Sequence, residues 1–138
     1  MSAEKTLQNK RGIYVHIPFC KSKCGYCAFT SVTDFSLQKP YVAALIDEIY
    51  NSAERGATAD SVYIGGGTPS CLYGGALKEI FAAVRECFGI DGNAEITVEC
   101  NPESATEAFA RECRECGVNG ISMSLQSSCY DVLRAVGR

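Results

Sequence analysis

Apolar and polar residues alternate from Gly12 to Ile17, where Ile13, Val15 and Ile17 are separated by Tyr14 and His16, the period-two pattern of a strand with two unlike faces. Farther along the period changes. Val42, Leu45, Ile46, Ile49 and Tyr50 recur at helical spacing, with Ala53 extending the stripe and Gly56 as a stop, so a first helix is predicted over about Gln38–Arg55. Pro40 falls in its first turn, where a missing N–H costs nothing. Ser61–Ile64 reads as a second strand, ended by Gly65-Gly66-Gly67-Thr68-Pro69, and Leu77, Ile80, Phe81 and Val84 mark a second helix with Gly89 as its stop. Glu95–Cys100 is predicted as the third strand, with Ile96 and Val98 on one face and Thr97 and Glu99 on the other. After Asn101-Pro102, Ala105, Phe109, Cys113 and Cys116 mark a third helix that stops at Gly117. Gly120–Gln126 completes the set of strands, Ile121, Met123 and Leu125 opposing Ser122, Ser124 and Gln126, and Leu133 and Val136 belong to a fourth helix.

Strands separated by helices are β/α units of the kind that make a parallel sheet, and right-handed crossovers put every strand's C-terminal end on one side. Parallel strands covered on both faces read as continuous apolar runs, yet three of these four keep a polar face. A barrel with a wet or ligand-filled lumen accounts for that pattern. Cys20, Gly66, Glu99 and Gln126 each fall at or just beyond the C-terminal end of a different strand, where β/α barrels gather their active sites. Residues 1–11 are a polar lead-in, expected to be loosely ordered, and residues 12–138 form the folded part.

Composition narrows the function. The net charge of −3 and pI near 5.2 leave no basic footprint for nucleic acid. Nine cysteines, an odd number without regular spacing, are not a secreted disulfide framework, and most are expected to be reduced. The N-terminus carries no apolar leader, and no run approaches the roughly 18 apolar residues of a membrane span. The expected compartment is the cytoplasm.

The candidate chemistry centres on Cys20-Lys21-Ser22-Lys23-Cys24-Gly25-Tyr26-Cys27, directly after the first strand. Thiolates this close suit a soft metal or an iron–sulfur cluster. A closed zinc site wants a fourth ligand, and no further Cys or His pair lies nearby in the sequence; three thiolates on a four-iron cluster leave one iron open. His16, the only histidine, sits in the strand pattern as an inward residue rather than a ligand. The glycine run marks a backbone that can pass close to a ligand, and Glu99, opposite Ile96 and Val98, points into the lumen, where a carboxylate needs partners. Cys113-Arg114-Glu115-Cys116 looks like a second metal or redox pair, but both thiols lie on the apolar stripe with Phe109 and read as small buried hydrophobes. Cys71, Cys87, Cys100 and Cys129 carry no assigned chemistry.

Cys-x3-Cys-x2-Cys with an aromatic before the last Cys resembles the cluster loop of the radical S-adenosylmethionine (SAM) enzymes. Further blocks extend the likeness: Tyr14-Val15-His16-Ile17-Pro18-Phe19-Cys20, Gly65-Gly66-Gly67-Thr68-Pro69-Ser70, Glu99-Cys100-Asn101-Pro102, Gly117-Val118-Asn119 and Ser124-Leu125-Gln126-Ser127 resemble, in this order, the oxygen-independent coproporphyrinogen III oxidase family. The resemblance implies an α/β fold, a six-stranded partial (β/α) barrel of which this chain supplies about four units, and a truncation before the last two units and the C-terminal domain. It implies a [4Fe-4S] cluster on Cys20, Cys24 and Cys27. It also implies SAM bound by Gly66, Gly67, Thr68, Glu99, Gln126 and Arg138, with Tyr14 and Tyr26 flanking it.

Two branches of that family differ two residues after the third cysteine. The coproporphyrinogen dehydrogenase branch has a further Cys there; this chain has Phe29 and resembles the HemW-type branch of heme chaperones. The expected function is heme delivery, with heme as a further ligand and an apo-heme-protein and an electron donor as partners. The alternatives are oxidation of coproporphyrinogen III to protoporphyrinogen IX, and a truncated iron–sulfur domain with neither activity.

Overall fold

The computed structural model describes residues 10–52 and 57–138. Its elements are β1 (Lys10–Ile17), α1 (Gln38–Asn51), β2 (Thr58–Gly66), α2 (Ala76–Cys87), β3 (Gly89–Cys100), α3 (Glu107–Glu115), β4 (Gly120–Met123) and α4 (Tyr130–Ala135). The four strands form one parallel sheet in the order β1-β2-β3-β4. Ala53, Arg55 and Gly56, which the sequence pattern assigns to the end of the first helix, lie outside the described residues.

One face of the sheet is dry. Val15 and Ile17, Val62 and Ile64, and Ile96, Val98 and Cys100 project from β1, β2 and β3 into a core closed by Val42 and Ile49 of α1, Leu77, Ile80, Phe81 and Val84 of α2, and Phe109 and Cys113 of α3. Burial of each such aliphatic side chain contributes roughly 1.5–3 kcal/mol. The alternate residues Tyr14, Tyr63 and Glu99 stand on the opposite face, so the period-two reading of the strands becomes a helix-covered side and a polar side.

Several boundaries differ from the pattern-based expectation. Gly89 does not stop α2; the helix ends at Cys87, and Gly89 opens β3, paired with Thr58. Between Ile90 and Glu95 the chain bulges out of register against Ala59 and Ser61, and Asp91 Oδ1 accepts from Asn93 N at 2.9 Å in a local turn. These turn-forming residues conceal the strand's first part. β4 is shorter than Gly120–Gln126, ending at Met123, and its Ile121 and Met123 are about half exposed.

Two polar side chains hold elements together. Asn119 mimics a strand: its Oδ1 accepts from Ile96 N and its Nδ2 donates to Ala94 O, both at 2.8 Å, which locks the entry of β4 onto β3. Buried Gln38 clamps the turn before α2 by donating to Cys71 O at 2.8 Å and accepting from Tyr73 N at 3.0 Å.

Candidate functional site

β1 delivers the chain to the cysteine loop, and the loop is tied at its base. Phe19 bridges Val32, Cys20 N donates to Val32 O at 3.1 Å, and Val32 N donates to Pro18 O at 2.7 Å. Phe19 is 1 % exposed and meets the edges of Phe35 and Tyr41, so the loop grows from a packed aromatic root. Within the loop Cys27 N donates to Cys24 O at 3.1 Å, and Lys23 Nζ reaches back to Phe29 O at 2.7 Å and Ser31 Oγ at 3.3 Å. Gly25 N donates to Val136 O at 3.1 Å, which docks the end of α4 on the loop.

Each glycine of Gly65-Gly66-Gly67 leaves room for a different neighbour. A Cβ at Gly65 would lie 2.8 Å from Glu99 Cδ and from Tyr63 Cε1, and one at Gly66, whose φ is +114°, would lie 2.5 Å from the His16 ring. A Cβ at Gly67 would sit 2.7 Å from Phe19 O and 2.8 Å from Ile17 O. The run therefore zips onto the root of the cysteine loop: Gly67 N donates to Ile17 O and Thr68 N to Phe19 O, each at 2.7 Å. Gly66 N is taken by Glu99 Oε2 at 3.0 Å. The amide hydrogens of Gly66, Gly67 and Thr68 are thus all engaged inside the protein. What the run can offer a ligand is therefore an acceptor. The Thr68 hydroxyl faces Cys20 Sγ, 3.6 Å away, and accepts from Asn101 Nδ2 at 3.2 Å.

On the polar face of the sheet a chain of contacts runs across three strands. Tyr63 OH donates to Glu99 Oε1 at 2.6 Å, Tyr63 stacks on Tyr14 with centroids 6.2 Å apart, and the Tyr14 hydroxyl lies 2.9 Å from His16 Nδ1. The bond to Glu99 is the main cause that raises the Tyr63 pKa above the usual phenol value, with burial second; for Tyr14 burial leads, followed by the Glu99 charge.

These features meet at one cavity of about 190 Å³. Its wall includes Cys20, Cys24, Tyr26 and Cys27 from the loop, Gly66, Gly67 and Thr68 after β2, Glu99 from β3, and Gln126 and Arg138 beyond β4. Tyr14 is the sequence-predicted site residue that does not line it; it stands behind Tyr63 on the sheet. Gln126 has φ +66°, the only non-glycine residue with positive φ among the described residues, and such a backbone costs about 1–3 kcal/mol. For Arg138, burial lowers the pKa, but the Tyr26 hydroxyl and the Cys24 thiol beside it raise it to a net upward shift. Its Nε is buried with no hydrogen-bond partner.

Against known proteins, the pattern of the radical SAM superfamily matches residues 14–138. The chain belongs to the radical SAM superfamily. It is 36% identical over 133 residues to the heme chaperone HemW of Mycobacterium tuberculosis (strain ATCC 25618 / H37Rv), covering 92% of this chain and 34% of that protein. To the oxygen-independent coproporphyrinogen III oxidase of Bradyrhizobium diazoefficiens it is 35% identical over 131 residues, covering 91% of this chain and 29% of that protein. Among solved structures it superposes on coproporphyrinogen III oxidase (HemN) from Escherichia coli, described as a radical SAM enzyme. The TM-score is 0.87 at 30% identity, over 95% of this chain and 31% of that one. The parallel four-stranded sheet with its helices is thus the radical SAM fold, part of a (β/α) barrel. The chain spans about a third of the length of the curated relatives it matches.

Membership of this superfamily implies a [4Fe-4S] cluster and SAM. The residues present fit both. Three half-buried free thiols line one cavity, the donor set that a four-iron cluster with one open iron takes. The orphaned Arg138 Nε needs an acceptor, and Glu99, with one donor on each oxygen, keeps lone pairs for a further donor or a cation. An amino acid's carboxylate and ammonium carry both. Sequence reasoning gave no role to Tyr63, Lys23 or Asn101, because periodicity shows which face a residue occupies and not which distant partner it meets.

Proposed function

We propose that residues 12–138 form the part of a HemW-like heme chaperone that holds its iron–sulfur cluster and SAM. Cys20, Cys24 and Cys27 ligate the [4Fe-4S] cluster, and the Thr68 hydroxyl, backed by Asn101, donates toward the Cys20 sulfur. Arg138, Gln126, Glu99 and the acceptor groups of Gly66 and Gly67 hold SAM, with Tyr26 beside it and Tyr14 supporting the sheet behind. When bound, the cluster and SAM supply one-electron reductive chemistry at a sulfonium. The chain's own part is to orient the ligand on the C-terminal ends of the strands and to keep water from the cluster with Phe19 and the loop it roots. The compartment this reading fits is the cytoplasm, where thiols stay reduced, and no helix among the described residues is long and apolar enough to cross a membrane.

The observation that carries the choice of branch is Phe29. It follows the third cysteine by two residues, is 65% exposed, and lines the cavity where a further thiol would otherwise stand. The exposed ring offers apolar surface to a flat macrocycle and no ligand to a metal. Heme is then the cargo, an apo-heme-protein its acceptor, and an electron donor serves the cluster. A second reading, oxidation of coproporphyrinogen III, is favoured by the oxidase relatives and the HemN superposition, since the identities of the two groups barely differ. The test uses the full-length protein. Anaerobic incubation with SAM, a reductant and coproporphyrinogen III, followed by chromatography, is expected to yield no protoporphyrinogen IX. A spectroscopic titration is expected to show stoichiometric heme binding followed by transfer to an apo-acceptor. Protoporphyrinogen IX formed at catalytic turnover would overturn the chaperone reading.

A further inference from the structure

The first glycine of Gly65-Gly66-Gly67 pairs with His16 along the β1–β2 ladder, and the atoms nearest to where its Cβ would be belong to Glu99 and Tyr63. The space it vacates holds Glu99 Cδ on one side and Tyr63 Cε1 on the other, each 2.8 Å from where a Cβ would be. Two strands thus bring a phenol and a carboxylate together over a gap in a third position, and the pair is closed by the 2.6 Å bond from Tyr63 OH to Glu99 Oε1. The other carboxylate oxygen accepts from Gly66 N at 3.0 Å. With one donor on each oxygen the side chain has no free rotation about its terminal bond, and its remaining lone pairs are left for the cavity that Glu99 lines. The phenol is itself braced by the stack on Tyr14.

We infer that Tyr63 is the positioning residue for Glu99, and that its hydroxyl fixes the carboxylate for a hydrogen-bond donor or cation of the ligand in the cavity. The inference rests on the proposed assignment of Glu99 to SAM. Tyr63 itself does not line the cavity, so its hydroxyl reaches a ligand there through Glu99. A carboxylate held by two donors presents its charge without the ordering cost a free side chain would incur on binding. The raised Tyr63 pKa agrees with a phenol that donates to an anion and stays protonated at neutral pH.

The test is SAM affinity, by calorimetry under anaerobic conditions on the full-length protein with its cluster reconstituted, for the unaltered protein, Tyr63→Phe, Glu99→Ala and the double variant. Tyr63→Phe keeps the ring and its stack and is expected to weaken SAM binding roughly tenfold. In the Glu99→Ala background the same change is expected to add nothing, and iron content should be equal in all four proteins. Gly65→Ala, which drives the pair apart with the phenol intact, is expected to weaken binding to a similar extent. Unchanged affinity in Tyr63→Phe, an equal further loss on top of Glu99→Ala, or loss of the cluster in Tyr63→Phe would each overturn the inference while leaving Glu99 assigned. Failure of the unaltered protein to bind SAM would overturn the Glu99 assignment and this inference together.

Discussion

Cys24-Gly25-Tyr26-Cys27 and Cys113-Arg114-Glu115-Cys116 have the same spacing and opposite surroundings. In the first, the chain is in a loop, Cys27 N bonds back to Cys24 O, and both sulfurs are half-buried at a cavity they share with Cys20. In the second, α3 and its C-cap residue Cys116 turn both thiols into the core: Cys113 is 3% and Cys116 6% exposed. Burial first, and then the neighbouring Cys116, Glu112 and Cys100, push the Cys113 thiol up to about 12. A metal-binding thiol must be deprotonated, so the environment withholds from the helical pair what the spacing alone would permit.

The sharpest way to break the comparison is to remove thiols from each region. Alanine at Cys20, Cys24 or Cys27 is expected to abolish the brown chromophore of the anaerobically reconstituted protein and leave iron near background. Alanine at Cys113 and Cys116 together should leave about four irons and four sulfides per chain. Iron and sulfide analysis decides it. If the helical pair proved as necessary as the loop, the assignment of ligands would be wrong.

The loop was legible in the sequence because its spacing is local: three cysteines within eight residues need no tertiary information to be read as candidate ligands. The same holds for the alternation in β1 and the stripe of α2. What stayed hidden depends on partners far along the chain. Gly65, Gly66 and Gly67 announce a close approach, but only the structure shows that the approach is to Glu99 and Tyr63, to His16, and to the backbone of Ile17 and Phe19. Tyr63 has no role in the sequence pattern until Glu99 is found 2.6 Å from it. The start of β3 was missed for a different reason, since Asp91, Gly92 and Asn93 favour a turn locally while pairing with β2 carries the strand past them.

A second effect, smaller than loss of a cluster, is the reactivity of the two thiol groups before any metal is bound. At pH 8 a thiol at about 12 carries roughly two-thousandfold less thiolate than an ordinary cysteine. Its greater basicity returns about fortyfold in intrinsic nucleophilicity, which leaves a deficit of roughly fiftyfold before steric protection is counted. Cys113 is also buried where Cys24 and Cys27 are half-exposed at a cavity, so in the cluster-free protein a disulfide reagent should modify the loop well ahead of Cys113, with mass spectrometry of peptides locating the label. The sign for stability follows. The folded thiol keeps its proton above the pKa of the unfolded chain, so its contribution is full below about pH 8.5 and is lost as pH rises toward about 12. Cys113 labelled as fast as Cys24 in folded protein would show that α3 opens readily and that the contrast between the regions is not one of environment.

The smallest expected effect tests whether α3 is purely structural. The N-cap of α2 is Gly75, which has φ +96° and no side chain to cap the helix, so the first N–H groups need another acceptor. Glu112, reaching over from α3, provides it: its Oε1 accepts from Gly75 N at 3.0 Å, Leu77 N at 3.1 Å and Lys78 N at 3.4 Å. A carboxylate at a helix N-terminus also meets the positive end of the helix dipole. Glu112→Ala is thus expected to cost about 1–2 kcal/mol, the worth of a lost cap with its charge term. Glu112→Gln, which keeps an acceptor and loses the charge, should cost less. Denaturant titration measures both, and iron content after reconstitution should be that of the unaltered protein, because the cap lies outside the cavity walled by Cys20, Cys24 and Cys27. A stability loss accompanied by loss of iron would mean that the packing of α2 and α3 reaches the cluster loop, and the two cysteine regions would then have to be treated as one coupled unit.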